Sequence, residues 1–287
     1  MGWRGYIHAP RKAVFFWSQK AACTSLFTYL AEDVDIPPGD RNFFHTRSDP
    51  YPRCFKVIRE DGYRSVILAR HPMTRSISAY FNKFCVYRDR PLRTRDDLEP
   101  FAQDLHDLHC AITGAEPQRN GISFVQFIDA VEARFARRTN IRHPINGHWE
   151  SQVPGFLIGP DLQYDTILHT ETLERDMTEL AAGLGMPYHP RQMNSTKFAQ
   201  DRHDGPLIDI PACDMTHHAF GYDNFITSDT LARIGQLYAQ DFKVFGYPPS
   251  PNMNGATLSG LPRVRRKLAC VYPFSAPAEA DTESGPS

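Results

Sequence analysis

Two stretches of this sequence carry residue types suited to holding anions. The first is Gln19-Lys20-Ala21-Ala22-Cys23-Thr24-Ser25, in which small residues and hydroxyls follow a lysine. An apolar run rich in aromatic residues, 12–17, precedes it, and a second apolar stretch, 26–31, follows. That order reads as strand, tight turn and helix. Such a turn aims several backbone N–H groups at one point, where the helix dipole adds partial positive charge. Lys20 contributes a full charge there, and Thr24 and Ser25 contribute hydroxyl donors. The segment differs from the nucleoside-triphosphatase loop GxxxxGK[ST], because Lys20 comes before the small residues and no glycine is present.

The second stretch is Arg70-His71-Pro72-Met73-Thr74-Arg75-Ser76-Ile77-Ser78-Ala79-Tyr80. Arg70 follows a buried-strand candidate, 65–69. Pro72 suits the first position of a helix, where its missing N–H has no intrahelical acceptor to lose. Ser78 stands eight positions after Arg70, about two turns into that helix. Ligands of open parallel sheets bind beyond the carboxyl ends of the strands, so Arg70 is expected on the same edge as the first loop. An arginine fork beside a hydroxyl is a receptor for a second phosphate.

Together the two motifs resemble the sulfotransferases that use 3′-phosphoadenosine 5′-phosphosulfate (PAPS). The resemblance places Lys20, Ala22, Cys23, Thr24 and Ser25 on the loop that holds the 5′-phosphosulfate. It places Arg70 and Ser78 on the 3′-phosphate site. His148-Trp149, Tyr164-Asp165 with Glu171-Thr-Leu-Glu-Arg-Asp176, and Tyr238-x-x-Asp241-Phe-x-x-Phe-Gly-Tyr247 are similar to segments of the carbohydrate branch, the chondroitin and dermatan 4-sulfotransferases of sulfotransferase family 2 and their bacterial relatives. The likeness extends over about 14–247. It departs at Gln19, where the family carries proline, and at Ala22, where a loop glycine is usual. Ser195 and Lys197, in Asn194-Ser195-Thr196-Lys197, fall where related sequences hold an Asn-x-Ser segment near the donor.

What the resemblance implies is sulfuryl transfer from PAPS to a hydroxyl of a carbohydrate or glycoconjugate by in-line displacement, with no metal required. Such a step needs positive charge on the leaving phosphate, for which Lys20 is the candidate, and a base for the acceptor proton. Histidine suits the second task near neutral pH. Of twelve histidines, His45 is the first choice, since several sulfotransferases draw their base from this interval, and His148 is the second. His71 is expected to be positional, and His106 and His109 to be surface residues. Glu171 and Asp176 suit the start of a helix better than catalysis.

The elements that must position these residues follow from the hydrophobic pattern. Strands are expected at 12–17, 65–69 and 164–169, and helices at 73–87, 98–110, 124–137, 173–184 and 228–245. Ser123 and Ser228 are the expected N-caps of two of them. The implied fold is a three-layer α/β/α domain with a central parallel sheet and a P-loop-like phosphosulfate loop, over 1–249. A C-terminal arm, 250–274, and a disordered tail, 275–287, follow it.

Composition bounds the partners. The 287 residues carry 32 Lys and Arg against 33 Asp and Glu, a formal net charge of −1, which excludes a globally basic nucleic-acid binder and makes any anion site local. Six cysteines form no CxxC pair, so neither a zinc site nor a disulfide framework is indicated. No apolar run matches a secretory leader or a membrane span, and a cytoplasmic location is the expectation. Two other functions fit the same frame: a kinase-like phosphoryl transferase, which would call for magnesium and a GK[ST] loop, and a non-catalytic nucleotide- or glycan-binding protein.

Overall fold

The computed structural model describes residues 3–34, 36, 43–154, 164–189, 203–215 and 220–251. The C-terminal arm and tail expected from sequence, apart from residues 250 and 251, lie outside them, as do Ser195 and Lys197.

The strands are β1 (Arg4–His8), β2 (Ala13–Trp17), β3 (Asp49–Pro50), β4 (Arg64–Ala69), β5 (Val86–Tyr87), β6 (Arg90–Pro91) and β7 (Thr166–His169). The helices are α1 (Cys23–Asp33), α2 (Phe43–Thr46), α3 (Tyr51–Glu60), α4 (Pro72–Tyr80), α5 (Pro100–Thr113), α6 (Phe124–Ala136), α7 (Leu173–Leu184), α8 (Ser228–Leu237) and α9 (Ala239–Phe245). The main sheet has the order β3-β1-β2-β4-β7. Its β2, β4 and β7 run parallel, whereas β1 is antiparallel to both β2 and β3. The sheet is therefore mixed: the expected parallel arrangement holds for β2, β4 and β7 and is corrected at β1 and β3. Only four residues separate β1 from β2, too few for a parallel crossover.

Alternation along the strands sorts the core into two faces. Ala13, Phe15, Val66, Leu68 and Leu168 pack under Leu26 and Leu30 of α1 and Met177 and Leu180 of α7. Val14, Phe16, Ile67 and Ala69 pack against Tyr51, Cys54 and Ile58 of α3 and Phe245 of α9. Helices thus cover both faces. A third cluster joins α4, α5, α6 and α8 around Tyr80, Phe84, Phe124 and Phe127.

Helix termini follow local chemistry. Ser123 caps α6 in a reciprocal box with Gln126. His71 caps α4, its Nδ1 accepting the Met73 N–H at 3.2 Å, with Pro72 in the first turn. Three expectations are corrected. The helix expected over 73–87 stops at Tyr80, passes into a π turn, Phe81–Cys85, and ends in the β5–β6 hairpin. The helix expected over 228–245 breaks at Tyr238 (φ −115°, ψ 29°), and its cap is Thr227 rather than Ser228. The segment 51–60, for which the hydrophobic pattern predicts no element, is α3, whose N-terminal proline pair hides its helical pattern. Among the described residues no helix is long and apolar enough to cross a membrane.

Candidate active site

Because β2, β4 and β7 are parallel, their carboxyl ends open on one edge, and the segments that follow β2 and β4 meet there. The turn from β2 into α1 has two non-glycine residues in the left-handed region, Lys20 (φ 67°) and Ala22 (φ 58°). That geometry costs an L-residue about 1–2 kcal/mol. Ala22 stands at the N-cap of α1 without a side-chain cap, while its carbonyl accepts the N–H of Ser25 at 3.0 Å. The first turn of α1 therefore presents amides and the positive dipole end beside Lys20.

Arg70 closes this edge. Its Nη1 donates to the Lys20 carbonyl at 3.0 Å, its Nε to Thr74 Oγ1 at 3.2 Å and its Nη2 to the Tyr222 hydroxyl at 2.9 Å. Thr74 and Ser78 are one turn apart on α4, so Ser78 shares the face that meets Arg70. Every residue of α4 is buried except Ser78, which is half-buried.

The segment 145–153 brings His148 to the same place. Its ring stacks on Phe101 at 4.7 Å and 7°. Asn146 Oδ1 accepts both the His148 backbone N–H and Nδ1–H, each at 2.9 Å, so Nδ1 carries the proton and Nε2 offers a lone pair. Burial, then Lys83, Lys20 and Arg75, push the imidazole down to about 2. The Lys20 ammonium is in turn lowered to about 8 by burial and by the charges of Lys83 and Arg70. These shifts describe a pocket with surplus positive charge and a neutral, oriented imidazole, which suits a polyanionic ligand. The Cys23 thiol is raised by burial, with Lys20 pulling it back.

Lys83 lies on the π turn, 7 % exposed, paired with Glu99. Its Nζ sits 4.8 Å from the Tyr87 ring centroid and 5.4 Å from that of Phe101, the ring on which His148 stacks.

A buried polar frame holds these parts in register. Arg75, fully buried, donates from Nε to the Gln19 carbonyl at 3.2 Å and from Nη2 to the carbonyls of Gly147 and Glu150. It ties the Lys20 turn to the His148 segment. Gly147 abuts Gln19 so closely that a Cβ there would meet Oε1 at 2.8 Å. Gln152 accepts from Ser18 Oγ and from the Arg70 N–H, each at 2.9 Å, and donates to the Arg70 carbonyl at 2.8 Å. Asp241, fully buried, accepts from Ser151 Oγ and from the N–H groups of Gln152 and Val153. Burial raises its carboxyl, and Arg75 and these donors offset the rise.

Lys20, the loop 22–25, Arg70, Ser78 and His148 are thus brought to one edge. His45 is exposed and meets the rings of Trp17 at 5.9 Å and Phe27 at 5.0 Å edge to face, on the strand and helix that flank the Lys20 turn. His71 is positional, with Nε2–H on the Pro248 carbonyl at 2.9 Å. Glu171 accepts the His71 N–H and the Tyr247 hydroxyl, each at 2.9 Å. His106 and His109 are buried in α5 rather than on the surface, a correction: the His106 ring meets the Arg119 carbonyl through Nε2 at 3.1 Å, and the two imidazole rings lie 6.0 Å apart. Among the described residues no group of three His, Cys, Asp or Glu is placed to hold a metal ion. Sequence reasoning passed over Lys83, Arg75, Gln152 and Asp241. Arg75 and Asp241 stood within quoted motifs, whereas Lys83 and Gln152 had no pattern of their own.

A family model described as "Sulfotransferase family" matches residues 11–248. No curated protein and no solved structure matches this chain.

Proposed function

The chain belongs to the sulfotransferase family, and from that premise we propose that it moves the sulfuryl group of PAPS to a hydroxyl of a carbohydrate or glycoconjugate. Members of the family generally take PAPS as the donor. The observation that carries the proposal is the pairing of Lys20, a cation lowered by burial and by its charged neighbours, with a neutral and oriented His148 across one edge of the sheet. In this reading the turn 20–25 acts as a P-loop-like cradle for the 5′-phosphosulfate, with the first-turn amides of α1 and the Lys20 ammonium as donors. Arg70 keeps N–H groups beyond the three it spends, and Ser78 shares its face, so the two fit the 3′-phosphate.

In the chemical step the acceptor oxygen forms a bond to sulfur as the bond from sulfur to the phosphate oxygen breaks. Lys20 balances the charge that gathers on that phosphate. His148 Nε2 takes the acceptor proton. Burial first, and the nearby lysines after it, hold His148 low, so an anion bound between the lysines raises its basicity. We favour His148 over His45 because the charges of Lys83 and Lys20 act on the His148 ring, whereas the contacts of His45 are the rings of Trp17 and Phe27.

Thermal melting tests the proposal. Adenosine 3′,5′-bisphosphate should raise the melting temperature, because a ligand of the native state alone stabilises it, and ATP with magnesium should not. A rise with ATP and magnesium and none with the bisphosphate would overturn it.

A further inference from the structure

Lys83 is a buried lysine that the donor reading leaves unused. It is carried by the five-residue π turn that interrupts the expected helix, a distortion often associated with functional sites. Its ammonium is nearly removed from solvent and is held by Glu99, whose own side chain is 38 % exposed. It also lies over Phe101, on which the His148 ring stacks. The backbone beside His148 abuts the Lys20 turn, where Arg75 bonds the carbonyls of both Gln19 and Gly147. A continuous set of contacts therefore runs from Lys20 through residues 147–148 and Phe101 to Lys83.

We infer that Lys83 is a further catalytic residue of the site, one that meets the oxygens of the sulfuryl group during transfer, and that Glu99 holds it until the donor is bound. The inference rests on the donor reading above. If Lys20 serves the leaving phosphate and His148 the attacking hydroxyl, the sulfuryl group passes between them, and Lys83 is the cation adjacent to that interval. Charge supports the placement: Lys83 is the leading electrostatic influence on both Lys20 and His148, after burial. An ammonium fixed over aromatic rings and opposed by a single half-exposed carboxylate can exchange that carboxylate for an incoming anion without crossing a polar gap. The lysine keeps its proton throughout. The S–O bond to the phosphate breaks, the bond to the acceptor forms, and the proton goes to His148.

The test compares two ligands that differ only in the sulfuryl group. Titration calorimetry of the full chain with PAPS and with adenosine 3′,5′-bisphosphate should give, for Lys83→Met, about a tenfold loss of affinity for PAPS and little change for the bisphosphate. Lys83→Arg should retain most of the PAPS affinity. Glu99→Gln should raise the preference for PAPS over the bisphosphate several-fold, since it removes the competing carboxylate. This arm keeps the buried lysine and serves even if Lys83→Met fails to fold. Equal losses for both ligands in Lys83→Met, or an unchanged or lower preference in Glu99→Gln, would overturn the inference. If the unaltered protein binds neither ligand, the donor reading itself fails instead.

Discussion

Lys20→Met should make the free protein more stable while abolishing its response to donor. The ammonium is lowered from 10.5 to about 8 by burial and by Lys83 and Arg70. At about 1.4 kcal/mol per tenfold change in proton affinity, that drop corresponds to about 3 kcal/mol of strain in the charged form. The side chain is half-buried, so solvent screening reduces the recoverable part to about 1–2 kcal/mol. For a chain of this size the melting temperature should rise by about 2–8 °C. The sign follows from linkage. Below pH 8 Lys20 is protonated in both folded and unfolded chains, and the full cost is present. Between pH 8 and 10.5 the unfolded chain holds the proton that the folded one has released, so the wild type gains stability and the advantage of the variant shrinks. Scanning calorimetry at pH 7, 9 and 10.5, with and without adenosine 3′,5′-bisphosphate, reads each term. A variant that melts at or below the wild type at pH 7, or whose advantage stays constant to pH 10.5, would refute the reasoning, as would a bisphosphate shift equal to that of the wild type.

Ala22→Gly should stabilise the protein by about 0.5–1 kcal/mol in urea titration, because glycine adopts φ 58° without the clash an alanine Cβ meets there. His148→Ala should keep the melting shift with adenosine 3′,5′-bisphosphate and lose turnover in a screen of carbohydrate acceptors with labelled donor, whereas His45→Ala should turn over normally; the opposite pair of results would move the base to His45. Arg75→Met should cost about 3 kcal/mol or more in the same urea titration, since it strips a buried cation from three carbonyls and frees the Lys20 turn from the His148 segment.

Much of the frame was legible in the sequence because it is governed by local rules. The apolar runs behind Lys20 and Arg70 are strands β2 and β4, Pro72 stands in the first turn of α4, Ser123 caps α6, and Gly185 ends α7 in the left-handed region. Residues 4–8 carry no strand signal in the sequence because Arg4, Gly5 and His8 break the apolar alternation, and it is pairing with β2 and β3 that makes them β1. The π turn was hidden for a related reason: Ile77, Tyr80, Phe81 and Phe84 keep helical spacing through it, and only the packing of the helical cluster selects the wider turn.

The sequence by itself determined the chemistry available: a lysine before a run of small residues, an arginine and a serine eight apart, and a family pattern that this order of segments specifies. Those features lie within short windows, where spacing alone fixes which groups share a turn. Tertiary structure decided that, among the described residues, His148 joins them and Lys83 stands beside it. His148 lies over a hundred positions from Lys20, and it arrives there because Arg75, Gln152 and Asp241 pin its segment by bonds to backbone carbonyls and amides. No one-dimensional pattern records such bonds, since a carbonyl is present at every residue. The charge balance of −1 was equally silent, for the positive potential at this edge comes from the convergence of Lys20, Arg70 and Lys83 and not from their number.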